Sequence, residues 1–428
     1  VAFSRACAEV ICTFGLAPLF TFTNDAYAGI FNGIVRSDPL YNSNPNLTRT
    51  TFMHIIHNGG WQYFDSYHRV EGGKDLFSLF NLPGWRGYEF EDPVHHEKLN
   101  CMAAGVRFAD NTVTVSPSYA RQIEIACDGL EHILQNVIGI SNAIGSDFRE
   151  RVQKRFDDSG FVDEWYPRFE KVIKKNDSLK STLQERYPEV LEGAYACDKI
   201  KDRKRRKIVT RVRNKLLMQV QRGFTVDPDK ILFCMIHRVA EQKGFQLLLE
   251  SSEGVFNNLG FQGIIGGSVA SGDDNGYKIA DGLMQLNSYY SEKVSVNMGF
   301  QDVSIPLLSS DVFLMPSMNE PGGISQLEAF GCGCLVVARA TGGLRDTVYP
   351  IREKKGEIAG NGFLFSDFTP WSFYDAMERC MNFFRYAQED TIFAARENAE
   401  NSVYFWDTPA RQYLDTMYSL KEIVRIID

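Results

Sequence analysis

Pro316-Ser317-Met318-Asn319-Glu320-Pro321-Gly322-Gly323-Ile324-Ser325-Gln326-Leu327-Glu328-Ala329-Phe330-Gly331 joins a strand end, a carboxylate, a glycine turn and a helix start. The preceding Asp311-Val312-Phe313-Leu314-Met315 is a short apolar run of buried parallel-strand character, and from Ser325 the apolar residues recur at helical spacing. The loop therefore lies at the carboxyl end of a strand. There the first-turn N–H groups of the next helix are open to an anion, and two glycines let a ligand approach the backbone closely. A carboxylate beside a diphosphate would be repelled by it, so Glu320 suits hydroxyl groups. A sugar nucleotide carries both kinds of group.

A second turn follows the strand at 334–340: Thr341-Gly342-Gly343-Leu344-Arg345-Asp346-Thr347-Val348. With both turns in this order, the chain resembles retaining glycosyltransferases of the GT-B architecture, most closely the glycogen and starch synthases, which carry E-P-x-G-x-x-Q and T-G-G-L-x-D-T-V. The resemblance implies that Gly322, Gly323, Ile324, Thr341, Gly342 and Gly343 bind the donor and that Glu320 is catalytic, holding the sugar hydroxyls. Glu328 departs from the synthases, which carry Tyr there. The related E-x7-E transferases carry Glu, often assigned to the nucleotide ribose, so Glu328 is a donor-binding candidate and the nucleotide stays open, ADP ahead of UDP and GDP.

Further phrases match the same family. Ile236-His237-Arg238-Val239-Ala240-Glu241-Gln242-Lys243-Gly244 resembles S-R-L-x-x-Q-K-G, which makes Arg238 and Lys243 the fixed cations for charge on a departing diphosphate. His54-Ile55-Ile56-His57-Asn58-Gly59-Gly60-Trp61-Gln62 is similar to the H-N-x-x-x-Q segment, which implies a catalytic His57 beside the donor sugar and acceptor-side Asn58 and Gln62. His54 reads as core. Thr23-Asn24-Asp25 stands where the family has N-D-W-H, so Asp25 is acceptor-side, but Ala26 and Tyr27 replace the Trp and His. Val115-Ser116-Pro117-Ser118-Tyr119-Ala120 resembles V-S-P-T-Y-A. Gly139-Ile140-Ser141-Asn142-Ala143-Ile144 resembles G-I-L-N-G-I-D, which marks Asn142 as a donor-side candidate.

Strand patterns at 19–23, 51–56, 112–115 and 137–140, and again at 231–236, 263–265, 294–298, 312–315 and 335–338, alternate with helical ones. This alternation predicts an α/β protein with two Rossmann-like domains whose parallel sheets face a cleft. The expected division is an amino-terminal, acceptor-side domain at 1–146, a helical insertion or linker at 147–229, a nucleotide-sugar domain at 230–403 and a terminal helix at 404–428. Tyr404-Phe405-Trp406-Asp407-Thr408-Pro409-Ala410 resembles the phrase preceding a last helix that, in the family, returns to the first domain. The linker reads as a helical hairpin. Its basic run, Lys199-Ile200-Lys201-Asp202-Arg203-Lys204-Arg205-Arg206-Lys207, is either a solvated helix face or a docking site for an acidic partner.

Composition narrows the rest. The chain has 428 residues, 44% hydrophobic and 23% charged, with a net charge of -8 that argues against general nucleic-acid binding. Apolar runs are too short for a membrane span. Nine cysteines, mostly in apolar segments, fit a reducing compartment, cytoplasmic or plastid. His95-His96-Glu97 has the wrong spacing for a metal. The resemblance implies no metal or other cofactor, with a nucleotide sugar and an α-glucan as substrates. It also implies an opening strand and a K-x-G-G-L loop that do not precede Thr21. The first domain is therefore expected to be incomplete, with a partner polypeptide or covering segment near 19–22 and 51–56. Three functions stay open: a glucan-extending glucosyltransferase using ADP-glucose or UDP-glucose with retention, a GT-B transferase with a small acceptor, and a catalytically silent scaffold subunit.

Overall fold

The computed structural model describes residues 1–354 and 356–427. They form two compact units: Val1–Asn142 together with the chain from Trp406 onward, and Ala143–Phe405.

The first unit holds four parallel strands, β1 (Phe20–Asn24), β2 (Thr51–Ile56), β3 (Asn111–Thr114) and β4 (Ile138–Gly139), in sheet order β1-β2-β3-β4. Every residue of β2 is buried. The reason is its period of two: Phe52 and Ile56 join one apolar cluster with residues of helices Asp25–Ser37 and Cys101–Arg107, whereas Met53 and Ile55 join another with Tyr413, Met417 and Leu420 of the terminal helix. Where a partner polypeptide or covering segment was expected near 51–56, the chain's own terminal helix lies on that face. At β1, Leu19 and Phe22 do remain partly exposed. Helix Ala2–Thr13 packs its Ala8 into the same core as Ile30 and Ile34. His54 sits between two helices that approach closely because Gly29 and Gly105 have no side chain. A Cβ on Gly105 would lie 2.5 Å from the imidazole.

The second unit is built on six parallel strands: β5 (Leu232–Ile236), β6 (Gln262–Gly267), β7 (Val294–Met298), β8 (Val312–Met315), β9 (Leu335–Arg339) and β10 (Gly362–Phe365). Their order is β7-β6-β5-β8-β9-β10. From β5 the chain winds outward to β7, then returns to the other side of β5. The connections after β5 and β8 therefore run to opposite sides, and this switch point is where open α/β sheets form ligand crevices.

The segment at 147–229 is not a hairpin. It forms helices Phe148–Asp158, Phe161–Ile173, Asp177–Arg186 and Arg203–Arg222. Phe156, Phe169, Leu183, Val209 and Leu216 share one buried core with β5 residues Leu232 and Phe233, so the segment belongs to the second unit. Cations of the basic run are engaged within the chain: Arg205 with Glu189 at 2.7 Å, Lys204 with Asp390 at 2.6 Å and Lys207 with Glu400 at 2.6 Å. Deeper on the same helix, Lys215 meets Asp311 at 3.0 Å, and Asp311 also takes Arg396 at 2.7 Å. All nine cysteines are free thiols. Among the described residues no helix is long and apolar enough to cross a membrane, and no group of three His, Cys, Asp or Glu side chains is placed to hold a metal.

Candidate active site

His237 and Arg238 follow the end of β5, and a short turn, Glu241–Lys243, comes next. Gly244 has φ of +75°, and a Cβ there would lie 2.0 Å from the Pro316 carbonyl, so only glycine lets this turn press against the β8 loop. The two loops are stitched together. Met318 N donates to Gln242 O at 2.8 Å and Gln242 Nε2 donates to Asn319 O at 2.9 Å. The result places Lys243 Nζ 2.7 Å from Glu320 Oε2, which also accepts from Ser317 Oγ at 2.9 Å. Both contacts fall on one carboxylate oxygen. Arg238 lies exposed at the end of the same strand.

The two glycine turns face each other. Gly343 N donates to the carbonyls of Glu320 and Pro321, both at 3.0 Å, and a Cβ on Gly343 would come within 2.2 Å of Gly322 O. Gly322, Gly323, Thr341, Gly342 and Gly343 are buried, whereas Ile324 is half exposed. Neither helix that starts here, Ser325–Gly331 or Gly342–Thr347, has a side-chain cap on its first amides. Glu328 is only partly buried. Burial nevertheless pushes its carboxyl above the usual range, with Arg151 acting in the opposite direction. Phe300, which the sequence reading passed over, follows β7 at the same edge of the sheet and is 97% exposed. Ser317, Gln326 and Thr347 were also passed over as individuals although they stand inside the quoted motifs.

In the first unit, His57 follows β2. Its N–H donates to Asp25 Oδ1 at 2.7 Å, and its Nε2 lies 2.9 Å from Asn24 Oδ1. Asp25 opens its helix with φ of +52°, a conformation few non-glycine residues adopt, and the bond from His57 N helps hold it there. Asn58 is half buried and Gln62 exposed. Asn142, whose N–H donates to Val115 O at 3.2 Å, ends this unit.

A cavity of about 1550 Å³ lies elsewhere in the second unit, lined by Lys207, Arg211, Arg396 and Glu400 among others. Within it Lys207 is held by Glu400, and Arg396 by Asp311 and Gly333 O.

Two buried histidines set an acid response. Burial, with repulsion from His57, holds His54 down at about 3, and burial, with repulsion from Lys243, holds His237 at about 4. An unfolded chain takes up these protons near pH 6.5 and the folded chain does not, so stability falls as pH drops below about 6.5. Thermal unfolding is expected to shift steadily downward from pH 7 to pH 5, and His237→Gln to flatten part of the slope. A Tm independent of pH across that range would contradict the burial of both rings.

Two α/β units on one chain, the second with its polar groups gathered at a topological switch point, fit the GT-B class of glycosyltransferases, and the comparisons with known proteins place the chain there. Residues 1–136 match the family model of the starch synthase catalytic domain and residues 220–383 that of glycosyl transferases group 1. The chain is 32% identical over 397 residues to a glycogen synthase of Exiguobacterium sibiricum, covering 84% of this chain and 71% of that protein. It is 32% identical over 389 residues to glycogen synthase 2 of Geobacter sulfurreducens, covering 88% and 66%. It thus spans about two thirds of the length of these relatives. The catalytic domain of starch synthase IV from Arabidopsis thaliana, solved bound to ADP and acarbose, has the same fold with a TM-score of 0.70 at 21% identity, covering 98% of this chain and 76% of that one. The chain belongs to the glycogen synthase family.

Proposed function

We propose that this chain transfers glucose from a nucleotide sugar, ADP-glucose ahead of UDP-glucose, to the non-reducing end of an α-glucan with retention. The observation that carries the reading is the Lys243–Glu320 pair, 2.7 Å apart, at the switch point between β5 and β8. Arg238 and Lys243 stabilise charge on the departing diphosphate, the amides around Gly323 and Ile324 take its oxygens, and Glu320 holds sugar hydroxyls. Phe300 offers an exposed ring on which the base can stack. In the first unit the reading assigns His57 to the sugar and Asp25, Asn58 and Gln62 to the acceptor. Donor-side candidates Asn142 and Glu328 complete it. The C1–phosphate bond breaks as the acceptor oxygen bonds to C1 on the same face, and the acceptor's proton passes to the leaving phosphate oxygen. No metal enters this scheme.

A second reading, a small acceptor, is favoured by Ala26-Tyr27 and Glu328. Incubating the purified chain with ADP-glucose, UDP-glucose or GDP-glucose, and with glycogen, maltooligosaccharides or monosaccharides, separates the two. The expected result is α-linked extension of the glucan, fastest with ADP-glucose. Transfer to small acceptors alone would install the second reading, and nucleotide binding without transfer would leave a silent subunit.

A further inference from the structure

Gln326 is fully buried, and its Nε2 donates to Gly323 O at 3.0 Å and to Thr347 Oγ1 at 3.1 Å. Thr347 Oγ1 gives its own proton to Gly343 O at 2.8 Å, so towards Gln326 it can only accept, as can the Gly323 carbonyl. These two acceptors fix the orientation of the amide. With Gly343 N bonded back to Glu320 O and Pro321 O, a closed ring of hydrogen bonds runs from one glycine turn through two side chains to the other and back. Asn361 extends it, donating to Thr347 O at 3.0 Å. One atom in this ring is unpaired. Gln326 Oε1 is buried with no partner, and it lies against the Gly323 turn, 2.5 Å from where a Cβ would stand. Leaving a buried amide oxygen unpaired costs about 1–3 kcal/mol, so the amide is held here by its two donor bonds rather than by its oxygen.

We propose that Gln326 and Thr347 are positioning residues that aim the Ile324 amide at the donor's diphosphate. The inference rests on the donor-site reading above. In a trans peptide the carbonyl and the following N–H point in opposite directions, and no described residue has a cis bond. By drawing the Gly323 carbonyl inward, Gln326 turns the Ile324 N–H outward, on the half-exposed side of the loop. Thr347 holds Gln326 in that orientation and ties it to the Gly343 turn. The ring supplies direction rather than contact.

The test uses the full chain with ADP, UDP and adenosine as probes, read by calorimetry and NMR titration, together with thermal unfolding. Gln326→Met and Thr347→Val are each expected to weaken the better-bound diphosphate about tenfold, equivalent to about 1.4 kcal/mol. The double variant should be little worse than either single one, because both cut the same ring. Thr347→Ser, which keeps the hydroxyl, should restore affinity, and adenosine binding should not move. Should Gln326→Met fail to fold, the Thr347→Val and Thr347→Ser pair decides alone. Unchanged diphosphate affinity in folded variants, or an equal loss of adenosine, would overturn the positioning role while sparing the donor site. Absence of any nucleoside diphosphate binding by the unaltered chain would overturn both.

Discussion

Lys243→Ala is expected to lower the proposed glucosyl transfer by about 10²- to 10³-fold, the usual cost of removing one preorganised charge contact to a developing anion. Lys243 and Glu320 are only 18% and 10% exposed at their side chains, so in the ligand-free molecule each neutralises the other. In the proposed scheme the donor's diphosphate gives the ammonium a second anion. The Ala variant loses that charge and also leaves the Glu320 carboxylate with Ser317 as its remaining side-chain partner given by the structure, so a modest drop in Tm accompanies the loss of turnover. Arg238→Ala is different: the side chain is exposed, and turnover should fall without a comparable fall in Tm. Glu320→Gln should keep nucleotide affinity and lose transfer, because the proposal gives the carboxylate to hydroxyls rather than phosphate. Steady-state rates with donor and glycogen, beside calorimetry with the nucleoside diphosphate, measure all three. Undiminished turnover in folded Lys243→Ala would remove the lysine from the chemistry.

The strands were legible because each is a short apolar run closed by a turn. The sequence pattern and the structure agree on 51–56, 294–298 and 312–315 to the residue. β10 escaped, since Gly362-Phe363-Leu364-Phe365 is four residues long and follows a hairpin, Arg352–Lys354 with Glu357–Ala359, that blurs any alternation. The helical segment was misread for a different reason. Its charge density suggests a solvated hairpin, yet the apolar positions between the charges complete the core beside β5, and its cations meet acids far along the chain. Lys207 and Glu400 are 193 residues apart. The site's side chains were legible as motif members at strand ends. What local pattern could not reveal is that Lys243 and Glu320, 77 residues apart, touch each other, or that Gln326 and Thr347 close a ring between the turns.

Asp311→Ala is the substitution expected to damage stability most. Asp311 Oδ2 accepts from Lys215 Nζ at 3.0 Å and from Leu232 N at 3.1 Å, and Oδ1 accepts from Arg396 at 2.7 Å. Lys215 and Arg396 are themselves 6% and 13% exposed, so deleting the carboxylate strands two cations in the interior. Breaking one such buried pair costs about 3–5 kcal/mol, and at roughly 2–4 °C per kcal/mol for a unit of this size the Tm should fall by about 10 °C. Burial by itself raises the Asp311 carboxyl, but Lys215 and Arg396 outweigh it and the net direction is downward. A depressed folded value means that the contribution is complete above the unfolded carboxylate value near 3.9 and fades as pH falls through the folded one, so the gap between the two proteins should narrow below about pH 3.9. A Tm within about 2 °C of the unaltered chain would show the cations to be solvated. Ion pairs of this kind are poor sources of net stability, and their better-attested use is to fix one arrangement against its alternatives. Here the arrangement is the register of β8 beside β5: Asp311 sits at the head of β8 and bonds the first residue of β5, and the far ends of the same two strands carry Glu320 and Lys243. A loss of turnover in Asp311→Ala beyond its loss of folded protein would tie the buried charges at one end of the sheet to the pair at the other.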